Sequence, residues 1–507
     1  MRAGILACLA AVLCLLLAAC GMPRIGTDPS SEGGVSQTLP GTSVPSGSAT
    51  ALDTDSATEK GTTTGGNTAG SSSSLPDDPA TSSESSGTTT GTGSAPTASD
   101  TETSAADTTT SAVTTGTTRP ADKPVVAPVT KEFRAVWVSY IELNALLKGK
   151  NAEQAKAALD GMMDNCADFG MTAVVLHVRA NSDAYYVSSV YPAAAAVKPL
   201  LDAGFDPLAY AVSAAHSRGL ELHAWINPYR VGRDASNARC ADTFTYGDKT
   251  YYIPTSEAVK ALILNGIREL VRGYALDGVQ FDDYFYPTGC AEEGSPAAFE
   301  KTAYEAYREA AGASAMTPGG WRRSHVDSLV AAACNIVHGR KNCLFGISPS
   351  HDASKTHDQM FADSKKWLAT AGYVDYLCPQ VYFGFDHDSS AFDKVTAEWL
   401  AYTRSPSVSL YFGLGVYKTG LSPDRYAGSG SGEWGEDSGV LADSVLYLRQ
   451  QKVTGMLFYS YSYFFEDTAR DLQQWTADGT TVVQSYNPGV AKQAVEKLRQ
   501  ALAAGNT

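Results

Sequence analysis

From residue 131 onward, short runs of apolar residues alternate with longer stretches in which apolar residues recur every three or four positions. The short runs predict strands, and the longer spacing predicts amphipathic helices. In the clearest helical stretch the repeating positions are Ala155, Ala158, Leu159, Met162, Met163, Cys166 and Phe169. The predicted strands are Arg134–Tyr140, Thr172–Arg179, Glu221–Asn227, Gly278–Tyr284, Leu344–Ser348, Tyr376–Phe383, Val408–Tyr417 and Gly455–Tyr461. Further helices are predicted to begin near Pro207, Glu257, Ala298, Asp363, Ala391 and Ser438.

Strands that alternate with helices in this way predict an α/β fold, a (β/α)8 TIM barrel with enlarged βα loops. A doubly wound open sheet is the alternative, but no glycine-rich phosphate-binding turn follows the first predicted strand. The barrel is predicted to occupy residues 131–480. Residues 481–507 are predicted to be a C-terminal extension whose helix, Val490–Ala503, packs on the outside.

The chain begins with a predicted secretory signal peptide, residues 1–20. A short basic start at Arg2 precedes the apolar stretch Ile5–Leu17, and Leu17-Ala18-Ala19-Cys20 follows. Small residues before a cysteine resemble the lipobox of bacterial lipoproteins. That resemblance implies that Cys20 is acylated and becomes the mature N-terminus. We therefore expect the protein to be anchored in the lipid bilayer, on the extracellular face of a bacterial cell membrane.

Residues 21–130 are rich in Ser, Thr, Gly, Ala, Pro and Asp and contain no Trp, Tyr or Phe. Such a segment cannot bury enough apolar surface to offset the entropy of ordering, so it is predicted to be a disordered linker. It holds 12 acidic and 4 basic residues, a net charge of −8 out of −15 for the whole chain. The remainder is only mildly acidic and has no basic stripe, which argues against a nucleic-acid partner.

Six cysteines remain after the leader and Cys20, without the CxxC spacing of zinc ribbons: Cys166, Cys240, Cys290, Cys334, Cys343 and Cys378. We expect buried free thiols, no metal and no cofactor. A disulfide between Cys334 and Cys343 stays open at this point.

Polar and aromatic residues are concentrated where the predicted strands end, and in TIM barrels those ends carry the chemistry. The candidate substrate-binding residues at these ends are Arg179, Asn181, Trp225, Asn227, Arg230, Tyr284, Gln380, Tyr382 and Tyr461. Aromatic rings suit the C–H faces of sugars, and planar polar groups suit their hydroxyls. Candidate platforms are Trp137, Trp225, Tyr284, Tyr382, Tyr417 and Tyr461.

The fourth strand carries the candidate catalytic groups, Asp282 and Asp283. Side chains alternate along a strand, so Asp282 shares the inward face with Gln280 and Tyr284. The same alternation places Asp283 on the outward face. It remains an alternative catalytic residue, because the backbone curls at the ends of strands. A carboxylate in a barrel mouth is costly unless it is paired or used, and Arg179 is the predicted partner.

Five motifs in this order resemble the glycosyl-hydrolase-like 10 family of secreted bacterial barrels. They are Phe133-Arg-Ala-Val-Trp-Val-Ser139, His177-Val-Arg179, Trp225-Ile-Asn227-Pro-Tyr-Arg230, Asp277-Gly-Val-Gln-Phe-Asp282-Asp283-Tyr284 and Pro379-Gln-Val-Tyr382. The resemblance implies a glycoside hydrolase that cleaves β-linked amino-sugar polymers, such as peptidoglycan strands without stem peptides. We expect such a glycan as partner and a monomeric protein.

The mechanism is left open by the residues. The fourth strand is also similar to the DGxDxDxE signature of family-18 chitinases, but Tyr284 stands where those enzymes carry the acidic Glu. Either a substrate acetamido group assists, or a loop carboxylate such as Asp183, Asp352 or Asp386 is the second group. A barrel that binds sugar without catalysis is the main alternative function. A zinc hydrolase is a further alternative, with candidate loop ligands at His351-Asp352, His357-Asp358 and Asp386-His387-Asp388.

Overall fold

A computed structural model of the chain describes residues 132–465, 470, 472–477 and 480–504. The predicted signal peptide, Cys20 and the predicted linker lie outside these residues. Within them, no helix combines the length and the apolar character that a membrane crossing requires.

Eight segments form a parallel barrel and confirm the predicted fold class. They are β1 (Phe133–Val138), β2 (Ala173–Arg179), β3 (Glu221–Ile226), β4 (Gly278–Phe281), β5 (Leu344–Ile347), β6 (Tyr376–Leu377), β7 in two pieces (Ser409–Leu410 and Phe412–Gly415) and β8 (Gly455–Tyr459). The first piece of β7 pairs with β6, the second pairs with β8, and β8 pairs with β1. The sheet therefore closes on itself through the two pieces of one strand.

Helices surround the barrel on the outside. Their bounds are Tyr140–Leu147, Ala152–Asp168, Lys198–Asp202, Pro207–His216, Glu257–Gly273, Lys301–Ala311, Pro318–Val337, Ala353–Gln359, Ser364–Ala369, Phe392–Ala401, Glu433–Glu436, Val440–Gln450, Ser462–Phe465 and Pro488–Ala504. Short 3-10 turns lie at Ala235–Asn237, Gly312–Ser314, Val416–Lys418 and Gly428–Gly432. Further strands lie in the loops and near the C-terminus: Arg230–Gly232, Thr243–Tyr246, Lys249–Tyr252, Leu421–Ser422, Gln474–Ala477, Thr480–Val483 and Ser485–Tyr486.

The C-terminal helix Pro488–Ala504 is tied to the barrel base by two arginines. Arg449 donates to the carbonyl of Ala501 at 2.5 Å, and Arg134 donates to that of Leu502 at 3.3 Å. Arg449 also forms a buried ion pair with Glu132 at 2.8 Å. The last turn of this helix therefore has partners for its free carbonyl groups.

The apolar core has two parts, as a closed barrel requires. The larger part lies between the strands and the helices and includes the inward faces of Ala152–Asp168 and Glu257–Gly273. The smaller part fills the lumen, with Trp137, Trp225 and Tyr376 among its members. Alternate residues of each strand thus serve one part or the other.

The lumen is closed at the end where the strands begin. The ring of Phe133 lies 5.4 Å from His223, 6.0 Å from Tyr376 and 5.1 Å from Tyr411, between centroids. Room for the Tyr376 ring comes from Gly346, where a Cβ atom would lie 2.0 Å from that ring. Solvent and ligands therefore reach the lumen from the opposite end, where the strands stop.

Several predicted strands were too long. Strand β1 stops at Val138 because Ser139 caps the next helix, with its backbone N–H donating to Glu142 at 2.6 Å in a capping box. Strand β6 has only two ladder residues, and Pro379, which lacks a donor, lies just beyond them. In each case the sequence carries the signal, a Ser-x-x-Glu pattern or a proline.

All six cysteines of the described part are free, so Cys334 and Cys343 are not bridged. Four are buried as expected: Cys166, Cys334, Cys343 and Cys378. Cys240 and Cys290 are half-buried instead.

Candidate active site

One cavity of about 1270 Å³, part of it open to solvent, lies at the C-terminal end of the barrel strands. Of the residues proposed from sequence, those that line it are Trp225, Asn227, Arg230, Asp282, Asp283, Tyr284, Gln380 and Tyr382. The structure therefore brings together candidates from three strand ends, those of β3, β4 and β6.

Asp282 lies immediately after β4 and is 2 % exposed. Its Oδ2 accepts a hydrogen bond from the indole Nε1 of Trp225 at 2.9 Å, and its Oδ1 accepts one from the backbone N–H of Tyr284 at 3.1 Å. Both carboxyl oxygens are thus fixed in place. Asp283 is 4 % exposed and also lines the cavity, since the ladder of β4 ends at Phe281, before the two aspartates.

A chain of contacts holds the Trp225 indole in position. The ring of His177 stacks on that of Trp225 at 3.6 Å between centroids, with 8° between the planes. His177 Nε2 in turn lies 2.9 Å from Oδ1 of Asn227. Burial, and then the nearby charge of Arg230, hold the pKa of His177 well below its usual value, so this ring is neutral. The Trp225 indole that donates to Asp282 is therefore held in position by a neutral imidazole.

Burial and, after it, the neighbouring Asp283 carboxylate raise the pKa of Asp282 to about 8. The hydrogen bonds from Trp225 and Tyr284 and the charge of Arg230 oppose this rise without cancelling it. Asp282 therefore keeps its proton at neutral pH, which is the state that a general acid needs.

This raised pKa predicts a pH-dependent cost in stability. In the unfolded chain Asp282 ionises near its ordinary pKa of 3.8, while the folded protein keeps the proton up to about pH 8. Since the folded state binds more protons between these values, the free energy of unfolding falls as pH rises, by up to about 1.4 kcal/mol per unit.

Asp282→Asn removes this titration. The free energy of unfolding of the variant minus that of the wild type should therefore increase as the pH rises from about 5 to about 7. Urea denaturation at several pH values measures the difference. A difference that is constant over this range would show that Asp282 is ionised in the folded protein.

Arg230 is one of the arginines that line the cavity. It lies over the rings of Tyr284 and Tyr140, 5.2 Å and 5.8 Å from their centroids, and is 7 % exposed. The stacking leaves a planar donor group at the cavity wall, next to the aspartates. Gln380 lines the same wall and donates from Nε2 to the carbonyl of Ser348 at 2.9 Å.

The predicted pairing of Arg179 with the aspartate is wrong. Its guanidinium donates to the backbone carbonyls of Asn227 and Pro228 and lies 4.9 Å from the ring centroid of Tyr191. The register between β2 and β3 shifts between His177 and Arg179, which puts Arg179 opposite Ile226. This bulge turns Arg179 towards the segment after β3, and Arg179 is not among the described residues that line the cavity.

Two further candidates also lie outside the cavity wall. The amide of Asn181 packs against Gly232, where an added Cβ atom would lie 2.6 Å from Oδ1. Tyr461 is buried in the outer core, and its hydroxyl accepts a hydrogen bond from Asn165 at 2.9 Å. Of the predicted platforms, Trp137, Trp225, Tyr284, Tyr382 and Tyr417 line the cavity.

The loop after β7 supplies site residues that the sequence reasoning missed. Lys418 and Asp424 line the cavity and form an ion pair of 3.0 Å, with both side chains 11 % exposed. Arg425, Tyr426 and Trp434 follow from the same loop. The alternation of side chains predicts which face a residue occupies only within a strand. It therefore makes no prediction for residues in this loop.

The carboxylates proposed as a second catalytic group lie elsewhere. Asp352 accepts from the backbone N–H groups of Ser354 and Lys355 as a helix N-cap. Burial raises the pKa of Asp183, which is not among the described lining residues. Asp386 is likewise absent from the described wall, whose carboxylates are Asp282, Asp283 and Asp424.

The strand order and the position of the cavity are those of a (β/α)8 barrel with its candidate site at the carboxyl ends of the strands. The chain belongs to the glycosyl hydrolase-like 10 family, whose model matches residues 132–426.

Curated relatives agree with the family. Glycosyl hydrolase YngK of Bacillus subtilis is 30% identical over 320 residues, which cover 57% of this chain and 61% of that protein. Glycosyl hydrolase DigH of Escherichia coli is 27% identical over 331 residues, which cover 57% of this chain and 73% of that protein. The match to YngK therefore leaves more than a third of that relative uncovered.

Solved structures with a similar fold include two carbohydrate-active domains. The glycoside hydrolase domain of PgaB (BpsB) from Bordetella bronchiseptica has a TM-score of 0.44 and 14% identity, over 66% of this chain and 96% of that domain. The catalytic domain of β-amylase from Paenibacillus polymyxa has a TM-score of 0.45 and 10% identity, over 74% and 99%.

Proposed function

We propose that the protein is a membrane-anchored glycoside hydrolase that cleaves glycan of N-acetylated amino sugars, such as peptidoglycan strands without stem peptides. Asp282 is the general acid. The observation that carries this proposal is the buried Asp282 carboxyl, protonated at neutral pH, on the wall of an aromatic-lined cavity. Membership of a glycosyl hydrolase-like family supports the reaction type.

Asp282 delivers its proton to the glycosidic oxygen as the bond to the anomeric carbon breaks. Asp283 lies next to it, and Asp424 is already paired with Lys418. We infer that Asp283 orients the substrate acetamido group, whose oxygen attacks the anomeric carbon. Water then opens this intermediate and returns a proton to Asp282. This route needs no carboxylate as nucleophile, and such routes occur in other glycosidases.

Peptide-free strands are the favoured substrate because the cavity wall offers aromatic rings and a few polar donors that match the sugar units themselves. Rings of Trp137, Tyr382 and Tyr417 leave flat apolar walls for sugar faces, while Arg230 and Gln380 supply donors for acetamido and hydroxyl oxygens. A branched stem peptide at the cleaved sugar would have to displace these contacts.

Incubation with purified cell-wall glycan tests the proposal. New reducing ends should appear with peptide-free strands, more slowly with peptide-bearing strands, and not with starch or cellulose. Equal or faster cleavage of the neutral glucans would refute the amino-sugar assignment. Binding of strands without any new reducing end would establish the non-catalytic, sugar-binding barrel instead.

The anchor is tested separately. Cys20→Ser removes the proposed acylation site, so we expect the protein to leave the membrane fraction. Cys14→Ser, in the apolar part of the leader, is the matched control and should stay membrane-bound. Fractionation and immunoblotting measure both. Wild-type levels of Cys20→Ser in the membrane would contradict the anchor.

A further inference from the structure

Two histidine–aspartate pairs brace the closed end of the barrel in the same manner. His216 Nε2 lies 2.8 Å from Asp277 Oδ2, which also accepts the backbone N–H of Leu222 in β3 at 2.8 Å. The second pair has the same form. His338 Nε2 lies 2.8 Å from Asp375 Oδ2, which accepts the backbone N–H of Phe345 in β5 at 2.7 Å. His216 is the last residue of its helix and His338 is the C-cap of the helix Pro318–Val337. Asp277 and Asp375 immediately precede β4 and β6.

A thiol distinguishes the second pair from the first. Cys334 lies four residues before His338, on the same helix face, and its Sγ is 3.8 Å from His338 Nε2. The residue four positions before His216 is Val212, which offers no ligand atom. One ligand atom from each of Cys334, His338 and Asp375 lies within 4.8 Å of the others.

These distances suit a tetrahedral metal ion. Zinc bonds of about 2.3 Å to sulfur and about 2.0 Å to nitrogen or oxygen place sulfur and nitrogen about 3.6 Å apart, and nitrogen and oxygen about 3.4 Å apart. Sγ to Nε2 is 3.8 Å, and His338 Nε2 lies 3.1 Å from Oδ1 and 2.8 Å from Oδ2 of Asp375, so the imidazole and carboxylate have to separate by a few tenths of an ångström when the ion binds. The thiolate, imidazole and carboxylate are a ligand set that zinc accepts. His338 is 48 % exposed at its side chain, which leaves a path for the ion.

We propose that Cys334, His338 and Asp375 bind a zinc ion at the closed end of the barrel, with water at the remaining position. This site lies at the opposite end of the barrel from the candidate active site and is independent of the proposed catalytic role. Its effect is structural, because the ion joins the helix Pro318–Val337 to the start of β6. On binding, Cys334 loses its thiol proton to solvent as the sulfur–metal bond forms.

Titration of the purified full-length protein with Co²⁺ tests the site directly, in the absence of an affinity tag. We expect one equivalent of cobalt to give a thiolate-to-cobalt charge-transfer band and intense tetrahedral d–d bands, both abolished by added zinc. Zinc should also raise the melting temperature, since it binds only the folded arrangement. Cys334→Ser should lose the charge-transfer band, and His338→Gln should bind at least about tenfold more weakly.

The twin pair supplies the controls. His216→Gln disturbs the same kind of histidine–aspartate pair, which has no thiol beside it, and should keep the bands. Cys343→Ser removes a different buried thiol and should keep them as well. Wild-type protein without a charge-transfer band would overturn the proposal, and so would a band that persists in Cys334→Ser. A Cys334–Cys343 disulfide found by mass spectrometry of the untreated protein would overturn it as well.

Discussion

Asp282→Asn is expected to lower turnover of peptide-free glycan by about 10²–10⁴-fold, the usual contribution of a general acid. The amide has nearly the same shape and still accepts the Trp225 hydrogen bond, but it has no acidic proton to give. Sugar affinity should therefore survive. Steady-state rates and binding isotherms on the same strands measure the two effects.

Asp283→Asn and Asp386→Asn complete this test. Asp283→Asn should also slow turnover, because it lines the cavity next to Asp282, whereas Asp386 is not among the described lining residues and its variant should keep activity. If Asp282→Asn and Asp283→Asn both turn over at near wild-type rates, the chemistry resides elsewhere in the molecule.

Turnover should also fall as pH rises through about 8, where Asp282 loses its proton. Trp225→Phe keeps a ring against His177 but removes the Nε1 donor to Asp282. Since that hydrogen bond lowers the pKa of Asp282, its loss should move the alkaline limb of the pH profile upward. An unmoved limb would mean that another group sets it.

Arg322→Met is expected to destabilise the folded protein by about 3–5 kcal/mol, the cost of leaving one charge of a buried ion pair alone. Arg322 and Glu300 are paired with no exposed side-chain surface on either. Glu300 also accepts from the hydroxyl of Tyr286 at 3.2 Å, and Arg322 donates to the carbonyl of Ser295 at 2.8 Å. This cluster fixes the loop that follows Asp282 and Asp283.

Arg233→Met is the matched control. Arg233 pairs with Asp248 at 2.6 Å, but both side chains are 59 % exposed. Solvent screens such a pair, so its loss should cost less than about 1 kcal/mol. Urea denaturation gives both values, and equal losses would contradict the distinction between the buried and the exposed pair.

The barrel was predictable because its signals are local and repeated. The helix Ala152–Asp168 buries Ala155, Leu159, Met162, Met163 and Cys166, as the spacing of apolar residues predicts. The ends of β1 and β6 carry local signals, a Ser-x-x-Glu pattern and a proline, but the break in β7 depends on its pairing with two different neighbouring strands. The seventh strand, predicted as one run, is split at Tyr411, whose ring turns into the closed floor of the lumen.

Most of the site was predictable from the alternation of side chains along the strands. Trp225 and Asp282 face the lumen as alternation predicts, and their hydrogen bond joins two neighbouring strands. Arg179 does not face the lumen, because a bulge between His177 and Arg179 reverses the alternation of side chains. No residue pattern in this chain predicts that bulge. Lys418 and Asp424 come from a loop, and only the folded path of that loop brings them to the cavity.

Cleavage of peptide-free strands in H₂¹⁸O, followed by mass spectrometry of the products, tests the central claim most directly. Hydrolysis at a cavity that uses Asp282 as acid predicts one ¹⁸O atom at each new reducing end, with the rate of labelled product reduced by about 10²–10⁴-fold in Asp282→Asn. Products that lack the label, or labelled products formed by Asp282→Asn at the wild-type rate, would contradict the account.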